Sequence, residues 1–222
     1  MSWWQRLWRE PLIPSLPERL RVVNLTMEGW TEEAPTDEMR TWRNSRGDVL
    51  CLAAADGSLE LPSLSNIGAL QKWCRAVAES NGAGLIEMQL DTGRLGATVA
   101  FIYKRLQMPA YVFTGMLLVP GDEVNPVWTV VSGERGMTGV REAIVTAQLM
   151  TTGKLTIEDY KRSWAQDPYD STYRGVDRRV LRFVSDDESY DEQFPDHPLS
   201  KVRRILATLP SAVRIESGAP SS

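Results

Sequence analysis

Along this chain the hydrophobic positions change period several times, and each change marks an element. Leu85 to Leu90 alternates, with Ile86, Met88 and Leu90 on one side and Glu87 and Gln89 on the other, which predicts a half-exposed strand. Tyr111 to Val119 is apolar on both sides: Tyr111, Phe113, Leu117 and Val119 on one, Val112, Met116 and Leu118 on the other. Such a strand needs cover on both faces and belongs inside a sheet. Pro120-Gly121-Asp122 then supplies a turn, and Val127 to Ser132 a second β-rich run. Ala97–Arg105 reads as a further strand, Leu20–Thr26 as the first, and Glu38–Asn44 with Val49–Ala55 as a hairpin turning at Ser45-Arg46-Gly47-Asp48. Ile67, Leu70, Cys74, Val77 and Ala78 recur at helical spacing. They predict a helix capped by Ser63 or Ser65, running to about Ser80 and ended by Asn81-Gly82. A second helix opens within residues 133–142.

Four successive strands on short loops are most simply an antiparallel meander, preceded by one helix and followed by another. The fold class expected is α+β, an antiparallel sheet with helices packed on it. Phe113, Leu117, Val130, Ile144 and Leu70 are expected to meet at one sheet–helix interface. From Gly153 the pattern changes. Residues 156–165 suggest a short helix with Tyr160 and Trp164. Nine acidic residues then stand between Asp167 and Asp196 against four arginines, with aromatics at Tyr169, Tyr173, Phe183, Tyr190 and Phe194. Disordered acidic tails carry few aromatics, so this reads as an ordered wrap. Pro198 opens a last helix whose apolar stripe is Leu199, Val202, Ile205, Leu206 and Leu209. The expected organisation is a Trp-rich start and Pro connector (1–19), an α+β domain (20–153), a C-terminal extension packed on it (154–215) and a disordered tail (216–222).

A helix over residues 2–9 gathers Trp3, Trp4, Leu7 and Trp8 on one face, with Arg6 and Arg9 off it. The bland reading covers this face with the protein's own sheet; tryptophan is also the residue most enriched in binding hot spots, so Trp3, Trp4 and Trp8 are candidate partner-binding residues. Composition narrows the classes. The formal charge is −4, which argues against a non-specific nucleic-acid binder. Cys51 and Cys74 have no ligand spacing and sit in apolar runs, so reduced core cysteines and a cytoplasmic protein are expected. No run approaches the ~20 apolar residues of a membrane span, and Pro11 and Pro14 break any signal-peptide core. A peripheral membrane contact through the tryptophans stays open.

The element order is suggestive beyond its class. A strand reaches the Gly29-Trp30 loop, followed by a hairpin, an amphipathic helix, a four-strand meander and a closing helix. Over residues 20–150 this resembles the PsbP-like α/β/α sandwich. That resemblance implies a small non-catalytic protein that docks onto a larger partner. It carries over no site residues, because no motif is shared.

Three constellations bear chemistry. His197, the one histidine, lies in Pro-Asp-His-Pro; a single histidine excludes multi-histidine metal sites, and its setting suggests a structural or surface role near a helix cap. The acids Asp186, Asp187, Glu188, Asp191 and Glu192 do not follow EF-hand spacing and read as a solvated run paired with Arg174, Arg178, Arg179 and Arg182. At 133–142, Arg135, Gly136, Thr138, Gly139 and Arg141 stand where a strand hands over to a helix. Free N–H groups at a helix start accept anions, and the arginines could fork a carboxylate or phosphate. The bland alternative has Thr138 capping the helix and both arginines paired with the wrap. No cofactor motif is present. Two functions follow: a non-enzymatic interaction module (docking, adaptor or immunity-type) binding another protein, or a small-anion binder or enzyme using the 133–142 turn.

Overall fold

A computed structural model describes residues 16–17, 20, 23–56, 60–121 and 124–215. The candidate tryptophans Trp3, Trp4 and Trp8 and the tail 216–222 lie outside the described residues. In chain order the elements are β1 (Val23–Leu25), β2 (Trp30–Glu32), β3 (Arg40–Asn44), β4 (Val49–Asp56), α1 (Ile67–Ser80), β5 (Gly84–Gly93), β6 (Gly96–Gln107), β7 (Ala110–Leu118), β8 (Val124–Gly133), α2 (Val140–Thr151), α3 (Ile157–Ser163), β9 (Ala165–Gln166), β10 (Arg182–Phe183), α4 (Pro198–Ala212) and β11 (Val213–Ile215). Seven strands form one antiparallel sheet in the order β2-β3-β4-β8-β7-β6-β5, so the predicted meander β5–β8 is present and joins the predicted hairpin through β4–β8. The fold class is α+β. The first strand pairs elsewhere, with β11, in a two-stranded ribbon.

Period-two alternation sends successive residues of β7 to opposite faces. Phe113 and Leu117 join Trp42, Leu52, Trp128 and Val130 beneath α4, which contributes Leu199, Val202, Ile205, Leu206 and Leu209. Met116 and Leu118 join Leu85, Val99, Phe101 and Tyr103 beneath α1, with Leu70, Cys74 and Ala78. The two main clusters therefore lie one per face, with smaller ones around Val145 and around Met39, Val49, Cys51 and Ala53, and Leu70 does not meet Phe113 as expected. Ile144 is corrected too: it is 39 % exposed. The buried stripe of α2 runs through Arg141 and Val145, and Ile144 lies one residue off it. Val145 packs with Leu155, Trp164, Leu181 and Phe183, so α2 is held by the C-terminal segment.

Local details differ from expectation for physical reasons. Asn66, not Ser63 or Ser65, caps α1, its side chain accepting from the Ala69 N–H. Both cysteines are buried and free, and burial pushes Cys51 to about 11 and Cys74 to about 12. Gly115 allows α4 to lie directly on β7: a Cβ there would stand 2.5 Å from Val202 Cγ1 and 2.8 Å from Leu206 Cδ1. At the other end of that contact Lys201 Nζ reaches Asp48 Oδ1 at 2.8 Å, and Ser132 Oγ donates to the same oxygen at 2.6 Å. Burial alone would raise the Asp48 carboxyl, but hydrogen bonds from Lys201, Ser132 and Asn44 outweigh it and hold it below its ordinary range.

Two outcomes are expected. Leu117→Ala should cost about 2–5 kcal/mol in urea unfolding, as for other buried leucines; a loss under about 0.5 kcal/mol would place β7 outside the core. Asp48→Asn leaves Lys201 without its anion and should cost about 3 kcal/mol at neutral pH. Because the Asp48 pKa is depressed in the fold, its contribution is present above its unfolded value and lost as pH falls through the folded one. The gap between wild type and Asp48→Asn should then narrow below about pH 4, and a gap that stays constant would contradict the assignment.

Candidate functional site

At the turn from β8 into α2, which the sequence left as either a candidate anion site or a plain helix cap, a carboxylate of the chain itself takes a backbone N–H. Glu134 Oε1 accepts the Gly139 N–H at 2.9 Å, and its Oε2 accepts the Tyr111 N–H at 2.9 Å. Gly139, with φ +71°, occupies the cap position assigned to Thr138, and no side-chain cap is made there. Arg141 is fully buried. Its Nε donates to Ser185 O at 2.6 Å, Nη1 to Asp191 Oδ1 at 2.9 Å and Ser200 Oγ at 2.8 Å, and Nη2 to Asp187 O at 2.8 Å. Arg135 is exposed and donates to Gly47 O at 3.0 Å. Arg135, Arg141 and His197 do line one hollow of about 590 Å³, together with Glu134 and Lys201. The clamp is nonetheless closed on the protein itself, since the Arg141 donors hold the C-terminal segment.

A buried polar cluster brings together residues that the sequence kept apart, among them Asp186 and His197. Lys104 Nζ donates to Asp186 Oδ2 at 2.6 Å and stands 3.1 Å from the Phe183 ring centre and 5.2 Å from that of Tyr111. Burial lowers the Lys104 pKa, with Asp186 opposing. Glu142, at the start of α2, is raised by burial and by the Asp186 charge. His197 caps α4, its Nδ1 accepting from Leu199 N–H at 3.2 Å. Burial and the Arg141 charge push it down to about 3, so the ring is neutral and interior, not at the surface. One signal was available in the sequence: Lys104 is a charge inside the apolar strand 97–105. Glu134 and Glu142 gave none, because acids near a helix start are ordinary.

The acidic run is only partly a solvated face. Its partners come mainly from distant parts of the chain: Arg75 for Asp167, Lys104 for Asp186, Arg141 and Arg203 for Asp191, and Arg46 for Asp196. Of the four local arginines, Arg179 pairs with Asp177 and Arg182 with Asp187.

The larger concavity is a groove of about 650 Å³ between α4 and strands β5 and β6. Its floor is apolar, from Ala100, Ile102, Leu117, Leu206, Ala207 and Pro210, and its rim carries five carboxylates, Glu87, Asp91, Glu188, Asp191 and Glu192, against Arg203 and Arg204. Arg203 forks Glu87, with Nε and Nη2 at 2.8 and 2.6 Å, and Asp191 is shared by Arg141 and Arg203. Glu188 and Glu192 are exposed and make no salt bridge among the described residues. Beside the groove, the sheet edge at β5 is blunted. The Tyr169 hydroxyl accepts the Met88 N–H at 2.7 Å and donates to Met88 O at 3.1 Å, and Asp91 Oδ1 accepts the Thr92 N–H at 2.8 Å.

No known protein family matches this sequence, and no curated protein matches it. Among solved structures, a point mutant of the protein Mog1 aligns at a TM-score of 0.44 and 11 % identity, over 90 % of this chain and 94 % of that one. The Saccharomyces cerevisiae Ran-binding protein Mog1p aligns at 0.43 and 10 %, with the same coverage. Likeness at that level concerns outline alone and says nothing of what this chain binds. It does correct the PsbP-like resemblance, because the structures matched are Mog1 proteins. The stretch 20–150 that carried the resemblance is also incomplete as a sandwich, since one sheet face is covered by α4 from residues 198–212. No helix among the described residues is long and apolar enough to cross a membrane.

Proposed function

We propose that this protein is a non-enzymatic docking module, and that the groove between α4 and β5–β6 receives a segment of another protein carrying lysine or arginine among apolar residues. The observation behind this reading is the groove's composition: an open apolar floor under a rim with three more carboxylates than arginines. Apolar area supplies affinity, while an excess of one charge steers and selects an oppositely charged partner. Glu188 and Glu192 are the first choice for that role, being exposed and without ion-pair partners among the described residues. The blunted edge of β5 favours a segment lying across the groove over one adding a strand to the sheet. Trp3, Trp4 and Trp8 are retained as a second candidate contact, on the strength of tryptophan's place among binding hot spots.

Ala207 is exposed on α4 and lines the groove, so Ala207→Trp fills it without changing charge or core. A fluorescent peptide of interleaved lysine and leucine serves as the probe, titrated at low and high salt. Binding is expected to weaken by more than about tenfold in Ala207→Trp, since closing the groove removes its apolar contact. The double variant Glu188→Lys/Glu192→Lys should weaken binding and flatten its salt dependence. Unchanged affinity in Ala207→Trp would mean that the peptide binds the acidic surface elsewhere, and the groove would not be the site.

A further inference from the structure

A carboxylate oxygen from each of Glu134 and Glu142 and a ring nitrogen of His197 lie within 4.8 Å of one another. The imidazole is the sharper observation. Its side chain is 8 % exposed, and Nε2 lies 3.9 Å from Glu134 Oε1, beyond hydrogen-bond reach. That nitrogen has no partner among the described residues, and neither have both oxygens of Glu142 or Oδ1 of Asp186. Among the described residues the charges of Asp186, Glu142 and Glu134 all act on Lys104, which is already paired with Asp186, while the charge of Arg141 is matched by Asp191. Buried acids in excess, with an unpaired ring nitrogen aimed among them, are costly unless something cationic joins them.

From this geometry we infer that Glu134, Glu142 and His197 form a binding site for a first-row divalent metal ion of the zinc type. An imidazole with two carboxylates suits zinc, whereas magnesium and calcium take oxygen ligands. Metal bonds of about 2.0–2.2 Å require the three groups to draw in from their present spread. Glu142 is free to do so, since its oxygens break no hydrogen bond by moving. Glu134 keeps its two backbone N–H bonds, because each carboxylate oxygen has a second lone pair. His197 must change more. Its Nδ1 accepts the Leu199 N–H at 3.2 Å, so the ring proton sits on Nε2. Loading therefore moves that proton to Nδ1 and releases the long cap bond. Access is through the hollow that Glu134 and His197 line. A metal there would fasten the start of α4 to the β8–α2 turn and to α2 itself.

The chain has one histidine, so a spectrum of nitrogen-labelled histidine reports a single ring. Zinc ion is titrated into the full chain at neutral pH while that ring is observed, and affinity is measured by calorimetry. One equivalent should bind, shifting Nε2 to a metal-bound position and placing the proton on Nδ1. Affinity should fall more than about tenfold in His197→Asn, whose side chain still caps a helix, and in Glu142→Gln, which removes charge but no hydrogen bond. An unshifted ring at saturating zinc, or wild-type affinity in either variant, overturns the site.

Discussion

Arg141 carries a permanent charge into the protein interior, and four groups of the C-terminal segment meet that charge. A guanidinium cannot shed its proton, so burying it is tolerable only if its donors are matched. Ser185 O, Asp187 O, Asp191 Oδ1 and Ser200 Oγ supply the match. Three of these lie between residues 185 and 191, a stretch of two short 3-10 helices (Val184–Asp186 and Glu188–Tyr190), and the fourth is in the first turn of α4. One side chain from α2 thus meets this stretch at three points, beside the contacts that Lys104 and Arg203 make to Asp186.

That fixation has consequences on both sides. On one, Asp191 is held where Arg203 also reaches it, and Arg203 in turn forks Glu87 on β5. The rim of the groove is thus continuous from the sheet to the wrap, with Glu188 and Glu192 projecting from a backbone that Arg141 anchors. On the other side, Asp186 is set against Lys104 and near Glu142, and His197 is set against Glu134. The groove rim and the buried cluster share one support. Apolar packing fastens α4 to the sheet through Leu199, Val202 and Leu209, but it does not by itself determine the course of residues 184–191.

Much of the sheet could be read from the sequence because its information is local. The two-sided apolar run at 111–119 and the alternation at 85–90 are direct records of which face each residue takes. The stripe of α4 was equally plain, from Leu199 to Leu209, and each of those positions is buried. The division of the core between two faces was less legible: Leu70 and Phe113 carry the same hydrophobic signal, and only the side of the sheet separates them. Ile144 misled for a related reason, since an apolar residue beside a buried stripe resembles one within it. The 133–142 turn reads in the sequence as either an anion site or a plain helix cap. What the sequence could not convey is that Glu134 fills it, or that Arg141 faces inward to residues 44–59 positions away. Long-range ion pairs leave no periodic trace. The groove is likewise a product of packing, formed by α4 against strands more than ninety residues earlier in the chain.

The central claim is that Arg141 holds the wrap in place. Arg141→Met keeps an unbranched, mostly apolar stem while removing the charge and the donors. Hydrogen–deuterium exchange on this variant tests the claim directly, because it reads local opening amide by amide. Amides of residues 180–192 should lose protection by at least about tenfold, as expected when the partners of a buried charge are left unmatched, while those of β6, β7 and β8 keep theirs. Unchanged protection across 180–192, or an equal loss throughout the sheet, would contradict it.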